Sequence, residues 1–139
     1  MDPVVFSMEG PPRGKGRPRT SVRGGFARIY TDINTRNYEA SIAKIAALHM
    51  RGRAPFDGPL SVSLRFRLAP PKSMSKRDRA RVLAGDEAYA GRYDVDNMAK
   101  SILDAMNNII YTDDVNIMRL WAEKVASDRP GVDVRVEPL

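Results

Sequence analysis

One stretch of this 139-residue sequence requires a β-sheet with a single buried face. Between positions 60 and 68, apolar residues alternate without a break with serine and arginine. Side chains of an extended strand point alternately to opposite faces, so one face packs on a core and the other meets water. Gly58 precedes the stretch, and Pro70 and Pro71 end it because proline lacks an amide donor. The fold must therefore contain a sheet with a covering layer on one side.

Other segments predict three further strands. Residues 4–8 form a short apolar strand that ends before Gly10, and residues 115–126 form a long one. Val132, Val134 and Val136 alternate with charged residues in a fourth strand. The segment between Gly10 and Thr31, rich in glycine and arginine, is predicted to be a loop.

Three helices complete the prediction. The first is capped by Thr35 and runs to about position 50, and a short basic helix follows Ser75. The third begins with Asp96 as its N-cap and ends at Asn107 and Asn108, since asparagine tolerates the left-handed conformation at helix ends. The order of elements predicts one α/β domain of the α+β type over residues 1–139: a small mixed sheet of about four strands with helices packed on one face.

The residue types present narrow the possible chemistry. The chain has no cysteine and a single histidine, His49, which excludes disulfides, thiolate nucleophiles and zinc sites built on cysteine or paired histidines. Carboxylates, lysine, hydroxyls and water remain. No apolar run reaches the roughly 20 residues that span a bilayer, and the N-terminus lacks a signal pattern, so we expect a cytoplasmic protein without a membrane partner.

Positive charge is concentrated near the N-terminus. The net charge is +6, and positions 10–31 contain six basic residues and no acidic one. Such asymmetry favours a polyanionic partner, and we interpret it as a DNA-binding arm, although a solvated basic surface is the alternative. Glycine and lysine at 14–16 lack the spacing of a phosphate-binding loop, so no nucleotide cofactor is expected. The predicted DNA contacts are Arg13, Lys15, Arg17, Arg19, Arg23, Arg28, Lys72, Lys76, Arg77 and Arg92.

An acidic group surrounds the third helix. Asp94 and Asp96 are two residues apart, so in an extended segment both side chains leave the same face. Lys100 lies one helical turn beyond Asp96, and Asp113 and Asp114 follow the helix. Carboxylates without histidine or cysteine suit a hard divalent ion such as Mg²⁺, with Mn²⁺ as a substitute, and this coordination suits phosphodiester hydrolysis. Helix capping and turn formation are an alternative explanation for the same aspartates.

The combination of these motifs resembles the RusA family of Holliday junction resolvases. Residues 94–107, DVDNMAKSILDAMN, and 111–115, YTDDV, match that family's pattern of D-x-D-N, a lysine, L-D-A-L-N and an aspartate pair. The early GPP and KGRPR at positions 10–12 and 15–19 also resemble the opening of many members. Asp94 is preceded by Tyr93 and by only one nearby base, Arg92, where some relatives carry a run of arginines.

The resemblance implies roles for individual residues. Asp94, Asp96 and Asp114 would be catalytic metal ligands, Asp113 an auxiliary ligand, and Lys100 a supporting catalytic residue. Asn97 and Asp104 also match the motif and are interpreted as supporting or capping residues. Phe66, Trp121 and His49 are interpreted as core, interface or helix-face residues, not as base-stacking platforms.

The resulting hypothesis is a magnesium-dependent endodeoxyribonuclease that resolves four-way DNA junctions by paired nicking. A junction has near two-fold symmetry and needs matching cuts in two strands, so one site per chain implies a homodimer, the commonest oligomer. The resemblance also fits a phage or prophage origin. Two alternatives remain open: a non-catalytic basic nucleic-acid-binding protein, and a metal nuclease that acts on flaps or single strands.

Overall fold

The chain forms a four-stranded mixed sheet with helices on one face and a separate two-stranded hairpin. The computed structural model describes residues 2–16, 19–30 and 33–139, and for most of 19–30 only the backbone. The strands are β1 (Val4–Glu9), β2 (Arg19–Arg23), β3 (Phe26–Tyr30), β4 (Leu60–Leu68), β5 (Ile117–Ala126) and β6 (Gly131–Pro138). The helices are α1 (Ile33–Met50), α2 (Lys76–Leu83) and α3 (Val95–Met106), with a 3-10 turn at Asp114–Asn116.

The main sheet has the strand order β1-β6-β4-β5. β4 pairs in parallel with β5 and antiparallel with β6, which in turn pairs antiparallel with β1. This confirms the predicted mixed sheet of four strands. β5 begins at Ile117, two residues later than predicted, because the 3-10 turn occupies the preceding positions.

The alternating pattern of β4 has the predicted structural effect. Leu60, Val62, Leu64 and Phe66 are buried, while the serines and arginines between them lie on the opposite face. The buried residues share one core with apolar residues of the other main-sheet strands and of α1 and α3. The helices therefore cover one face of the sheet, as predicted.

Two helix caps differ from the prediction. α1 already begins at Ile33, so Thr35 is not its N-cap; its side chain is buried in the first turn and accepts a hydrogen bond from the Gly16 amide at 2.8 Å. α3 has Asp94, not Asp96, at the N-cap position. Ser75 caps α2 as predicted, accepting from the Asp78 amide at 3.1 Å.

The predicted loop of positions 10–31 contains the hairpin β2–β3. Its turn is formed by Gly24 and Gly25, with φ of 58° and 81°. Two consecutive residues at positive φ are typical of the tight turn whose twist matches paired strands, and glycine adopts that conformation without a steric penalty. The prediction of a loop was wrong here because this turn was not recognised.

Candidate active site

Helix α3 carries a polar stripe with a repeat of four residues. Asp96, Lys100 and Asp104 lie on one side of the helix, each about one turn from the next. Met98, Ile102 and Met106 are buried against the core on another side. The apolar residues thus fix the rotation of α3, and this rotation directs the polar stripe outward.

Asp94 and Asp96 do not belong to one extended segment. Asp94 has extended dihedral angles at the N-cap position and its side chain makes no capping hydrogen bond, whereas Asp96 lies inside the first helical turn. The argument that both side chains leave the same face of a strand was therefore wrong, because the helix begins between them. Both carboxylates are exposed. A negative charge at either position also interacts favourably with the helix dipole.

Asp113 and Asp114 lie on a loop that folds back on α3. The helix ends at Met106, and Asn108 adopts the predicted left-handed conformation with φ of 65°. Tyr111 is fully buried, and its hydroxyl donates a hydrogen bond to the Leu103 carbonyl of α3. Asp113 then caps the 3-10 turn by accepting from the Val115 amide at 3.1 Å.

Two acidic neighbours and one cation affect Asp114. A hydrogen bond with the Asp113 carboxyl is the main cause that raises the pKa of Asp114 above its ordinary value. Slight burial and the charges of Asp113 and Asp104 act in the same direction, while the charge of Lys100 opposes them. Asp114 is therefore within electrostatic range of Lys100 and Asp104, in the second half of the stripe.

The donor set matches the preferences of a hard cation, although the side chains do not form a cage. Across residues 2–16, 19–30 and 33–139, no three His, Cys, Asp or Glu side chains are grouped closely enough to hold a metal ion. The structure brings Asp113 and Asp114 together, and the charge of Asp104 also acts on Asp114. The neighbouring carboxylates that raise the pKa of Asp114 leave a negative charge that a divalent cation would offset. The predicted ligand set of Asp94, Asp96, Asp113 and Asp114 stays a prediction.

Lys15 is not a free phosphate-binding side chain. Its ammonium group contacts the Asp104 carboxylate and lies 3.2 Å from Glu39 of α1. Burial lowers the pKa of Lys15, but hydrogen bonds and charges from Asp104 and Glu39 outweigh this effect and raise it. Asn97 donates through its amide nitrogen to the Lys15 carbonyl at 3.1 Å. Asn97 and Asp104, for which supporting or capping roles were expected, thus both contact Lys15.

A family model described as endodeoxyribonuclease RusA matches residues 9–137, nearly the whole chain. The chain belongs to the RusA family. It is also 31% identical over 141 residues to the uncharacterised protein YqaN of Bacillus subtilis (strain 168), an alignment that covers all of this chain and 99% of that protein. The RusA family is a family of nucleases that resolve Holliday junctions, so family membership carries a hydrolytic activity on branched DNA.

Apart from Lys15, the predicted DNA contacts of this RusA-family chain fall into three groups. Arg17 lies outside the described residues, and the side chains of Arg19, Arg23 and Arg28 are likewise outside the description, although their backbone lies in the hairpin. Arg13 is half-buried beside Tyr38. The remaining contacts are exposed: Lys72, Lys76, Arg77 and Arg92.

The exposed basic residues on α2 differ from their neighbours on the same helix. Arg79 donates to the Pro70 carbonyl at 3.1 Å, and Arg81 lies 3.0 Å from Glu87. These two arginines therefore stabilise the fold around α2. Lys76 and Arg77 form no ion pair within the described part of the chain and are therefore available to a polyanion.

The aromatic residues singled out in the sequence have different environments. Phe66 is fully buried, which confirms the core interpretation. Trp121 is 64% exposed on β5, so the core interpretation is wrong for this residue. His49 is an exposed residue of α1 and packs its ring 5.8 Å from that of Phe6. Among the described residues no helix is both long enough and apolar enough to cross a bilayer.

Proposed function

We propose that this RusA-family protein is a magnesium-dependent, structure-selective endodeoxyribonuclease that resolves four-way junctions by paired nicking. The observation that carries the proposal is the polar stripe of α3, with the loop of Asp113 and Asp114 folded back on the same helix, in a chain that matches the family over residues 9–137. A cation among carboxylates on an exposed surface can be reached by a phosphodiester and can bind it through the negative charge of the phosphate.

The carboxylates and Lys100 have separate roles in this proposal. Asp94, Asp96 and Asp114 would hold Mg²⁺ or Mn²⁺, with Asp113 as auxiliary ligand. The bound ion would polarise the scissile phosphate and lower the pKa of an attacking water. Lys100, whose side chain is 63% exposed, would place its ammonium group beside the phosphate oxygens and stabilise the charge that develops on them.

A panel of DNA substrates tests this proposal. With Mg²⁺, we expect nicks in symmetrically related strands of a synthetic four-way junction, and markedly slower cleavage of flap, duplex and single-stranded DNA of the same sequence. Removal of the ion with EDTA is expected to abolish cleavage and to leave gel-shift binding of the junction, and Mn²⁺ should restore cleavage.

The other outcomes of this panel separate the alternatives. Junction binding without cleavage in either metal would indicate a non-catalytic binding protein. Preferred cleavage of flaps or single strands would indicate a nuclease of different selectivity, and cleavage that persists in EDTA would contradict the metal requirement.

We further propose that the protein acts as a homodimer that pairs through β5. This strand lies at an edge of the main sheet, spans ten residues and contains no proline or glycine. Met118, Leu120 and Trp121 are exposed along it. A long apolar edge strand with unpaired amide groups readily pairs with another strand, and two-fold pairing of two copies satisfies both edges at once.

Substitution of Leu120 by lysine is expected to convert the dimer to a monomer at micromolar concentration, because a charge at the edge opposes strand pairing. Analytical ultracentrifugation measures the mass directly. Leu48→Lys serves as the matched control, since Leu48 is also exposed but lies on α1. A wild-type protein that sediments as a monomer on a junction would contradict the dimer, and a Leu120→Lys variant that stays dimeric would place the interface elsewhere.

A further inference from the structure

Lys15 lies in a partly buried site between helices α1 and α3. Its side chain is 24% exposed and reaches the carboxylates of Asp104 on α3 and Glu39 on α1, which are themselves only 25% and 22% exposed. A lysine that serves only solubility extends into water, where ion pairs contribute little. Here the carboxylates partly enclose the ammonium group, so its position is fixed by the fold.

The backbone around Lys15 is also fixed. The Lys15 amide donates to the Asn97 carbonyl at 3.4 Å, and Gly16 donates to buried Thr35. At Gly14 a β-carbon would lie 2.7 Å from both the Asn97 amide nitrogen and the Tyr93 ring, so only glycine allows this close approach. The start of the basic arm therefore lies directly on the N-terminal half of α3.

Asp104 is shared between two lysines. Its carboxylate contacts Lys15 and also lies 3.7 Å from Lys100 of the same helix. Lys100 is the cation that the proposed function places beside the phosphate. Both ammonium groups approach the same Asp104 oxygen, Oδ2, and repel each other there, so the direct contact with Lys15 weakens the hold of Asp104 on Lys100.

We infer that Lys15 is a positioning residue for the nuclease reaction: it engages Asp104, which leaves Lys100 free for the scissile phosphate, and it fastens the basic arm to the catalytic helix. This inference rests on the proposed function. It replaces the predicted role of Lys15 as a DNA contact. Without Lys15, Asp104 has Lys100 as its nearest cation, and Lys100 is drawn along α3 and away from the substrate.

Kinetics of the Lys15→Met variant test this role. We expect single-turnover cleavage of a junction to fall about tenfold at saturating enzyme, because Lys100 is misplaced, while the dissociation constant for the junction stays nearly constant. Lys15→Arg retains the charge and should recover most of the rate. In the double variant Lys15→Met, Asp104→Asn, Lys100 should no longer be drawn along α3, since the carboxylate that competes for it is gone.

The reactivity of Lys100 toward an acetylating reagent gives a readout independent of cleavage. Mass spectrometry of the free protein should detect slower acetylation of Lys100 in Lys15→Met than in the wild type, and normal acetylation in the double variant. Thermal melts of every variant establish that it is folded.

Specific results would overturn the inference. If Lys15→Met cleaves like the wild type, or if Lys100 is acetylated equally in both, Lys15 does not position Lys100. If the variant instead binds DNA more weakly and the slope of log affinity against log salt falls by about one, Lys15 is a phosphate contact after all. A wild type that never cleaves would overturn the proposed function itself, and with it the positioning role of Lys15.

Discussion

Replacement of Asp114 by asparagine is expected to slow magnesium-dependent cleavage of a four-way junction by about 100- to 1,000-fold, the usual cost of removing one preorganised charged group from a reaction centre. Asp114 is exposed to an incoming DNA strand, and the charges of Lys100 and Asp104 act on it. Asparagine keeps the size of the side chain and one oxygen but loses the charge that attracts a divalent ion. Single-turnover cleavage with saturating enzyme measures the effect on chemistry alone.

Junction binding should survive this substitution or become tighter, because a negative charge next to the DNA backbone is removed. Asp128→Asn is the matched control, since Asp128 is an exposed aspartate in the segment between β5 and β6. The control should cleave like the wild type. An Asp114→Asn variant of normal activity would eliminate Asp114 as a ligand and would direct attention to Asp113.

The sheet could be predicted well because its strands have one buried face. The alternation of Leu60, Val62, Leu64 and Phe66 identifies both the strand and the face that packs on the helices. Burial of apolar area is the dominant favourable term in folding. An apolar residue at every second position is the direct sequence signature of a strand that buries one face. β6 was predicted for the same reason.

The hairpin β2–β3 was missed because its evidence lies in turn chemistry. Gly24 and Gly25 separate two five-residue segments, and a two-residue glycine turn is a recognised hairpin signal. The high content of arginine and glycine suggested an irregular arm instead. A basic composition indicates that the partner of a segment is negatively charged. It does not determine the backbone conformation of the segment.

The sequence indicated candidate site residues, but their geometry could not be predicted from it. The chain order of Asp96, Lys100 and Asp114 indicated a polar group around α3, and the loop of Asp114 does fold back on that helix. The start of the helix was placed two residues late, so Asp94 and Asp96 were given a common direction that they do not have. Helix boundaries are the least reliable part of such predictions, and here one boundary decides where two carboxylates point.

The contacts of Lys15 could not be predicted from the sequence, for a different reason. Lys15 and Asp104 are 89 residues apart, and no local pattern reports a contact between an arm and a distant helix. Lys15 was predicted to contact DNA because of the net charge of the chain. Net charge indicates the sign of the partner's charge but not where an individual side chain lies. Only the packing of α1 beside α3 brings Glu39 and Asp104 to the same ammonium group.

Tyr111 connects the stability of the fold to the site, and its replacement by alanine is expected to lower the free energy of unfolding by about 3–5 kcal/mol, as for other large aromatic residues in cores. The side chain is fully buried and its hydroxyl holds the Leu103 carbonyl at the end of α3. The neighbouring Phe56 fixes the same loop, donating to the Ile110 carbonyl and accepting from the Thr112 amide. Urea denaturation followed by circular dichroism measures the loss.

Two further variants distinguish packing from hydrogen bonding at this position. Tyr111→Phe keeps the ring and should cost only about 1 kcal/mol, the net value of one hydrogen bond. Because the buried ring still packs the loop of Asp113 and Asp114 against α3, this variant should cleave at nearly the wild-type rate, whereas Tyr111→Ala should lose cleavage even at temperatures where it is still folded. Tyr89→Ala is the control, since Tyr89 is only half-buried and should cost less. A Tyr111→Ala variant that is destabilised but cleaves normally would show that the position of Asp114 does not depend on this anchor.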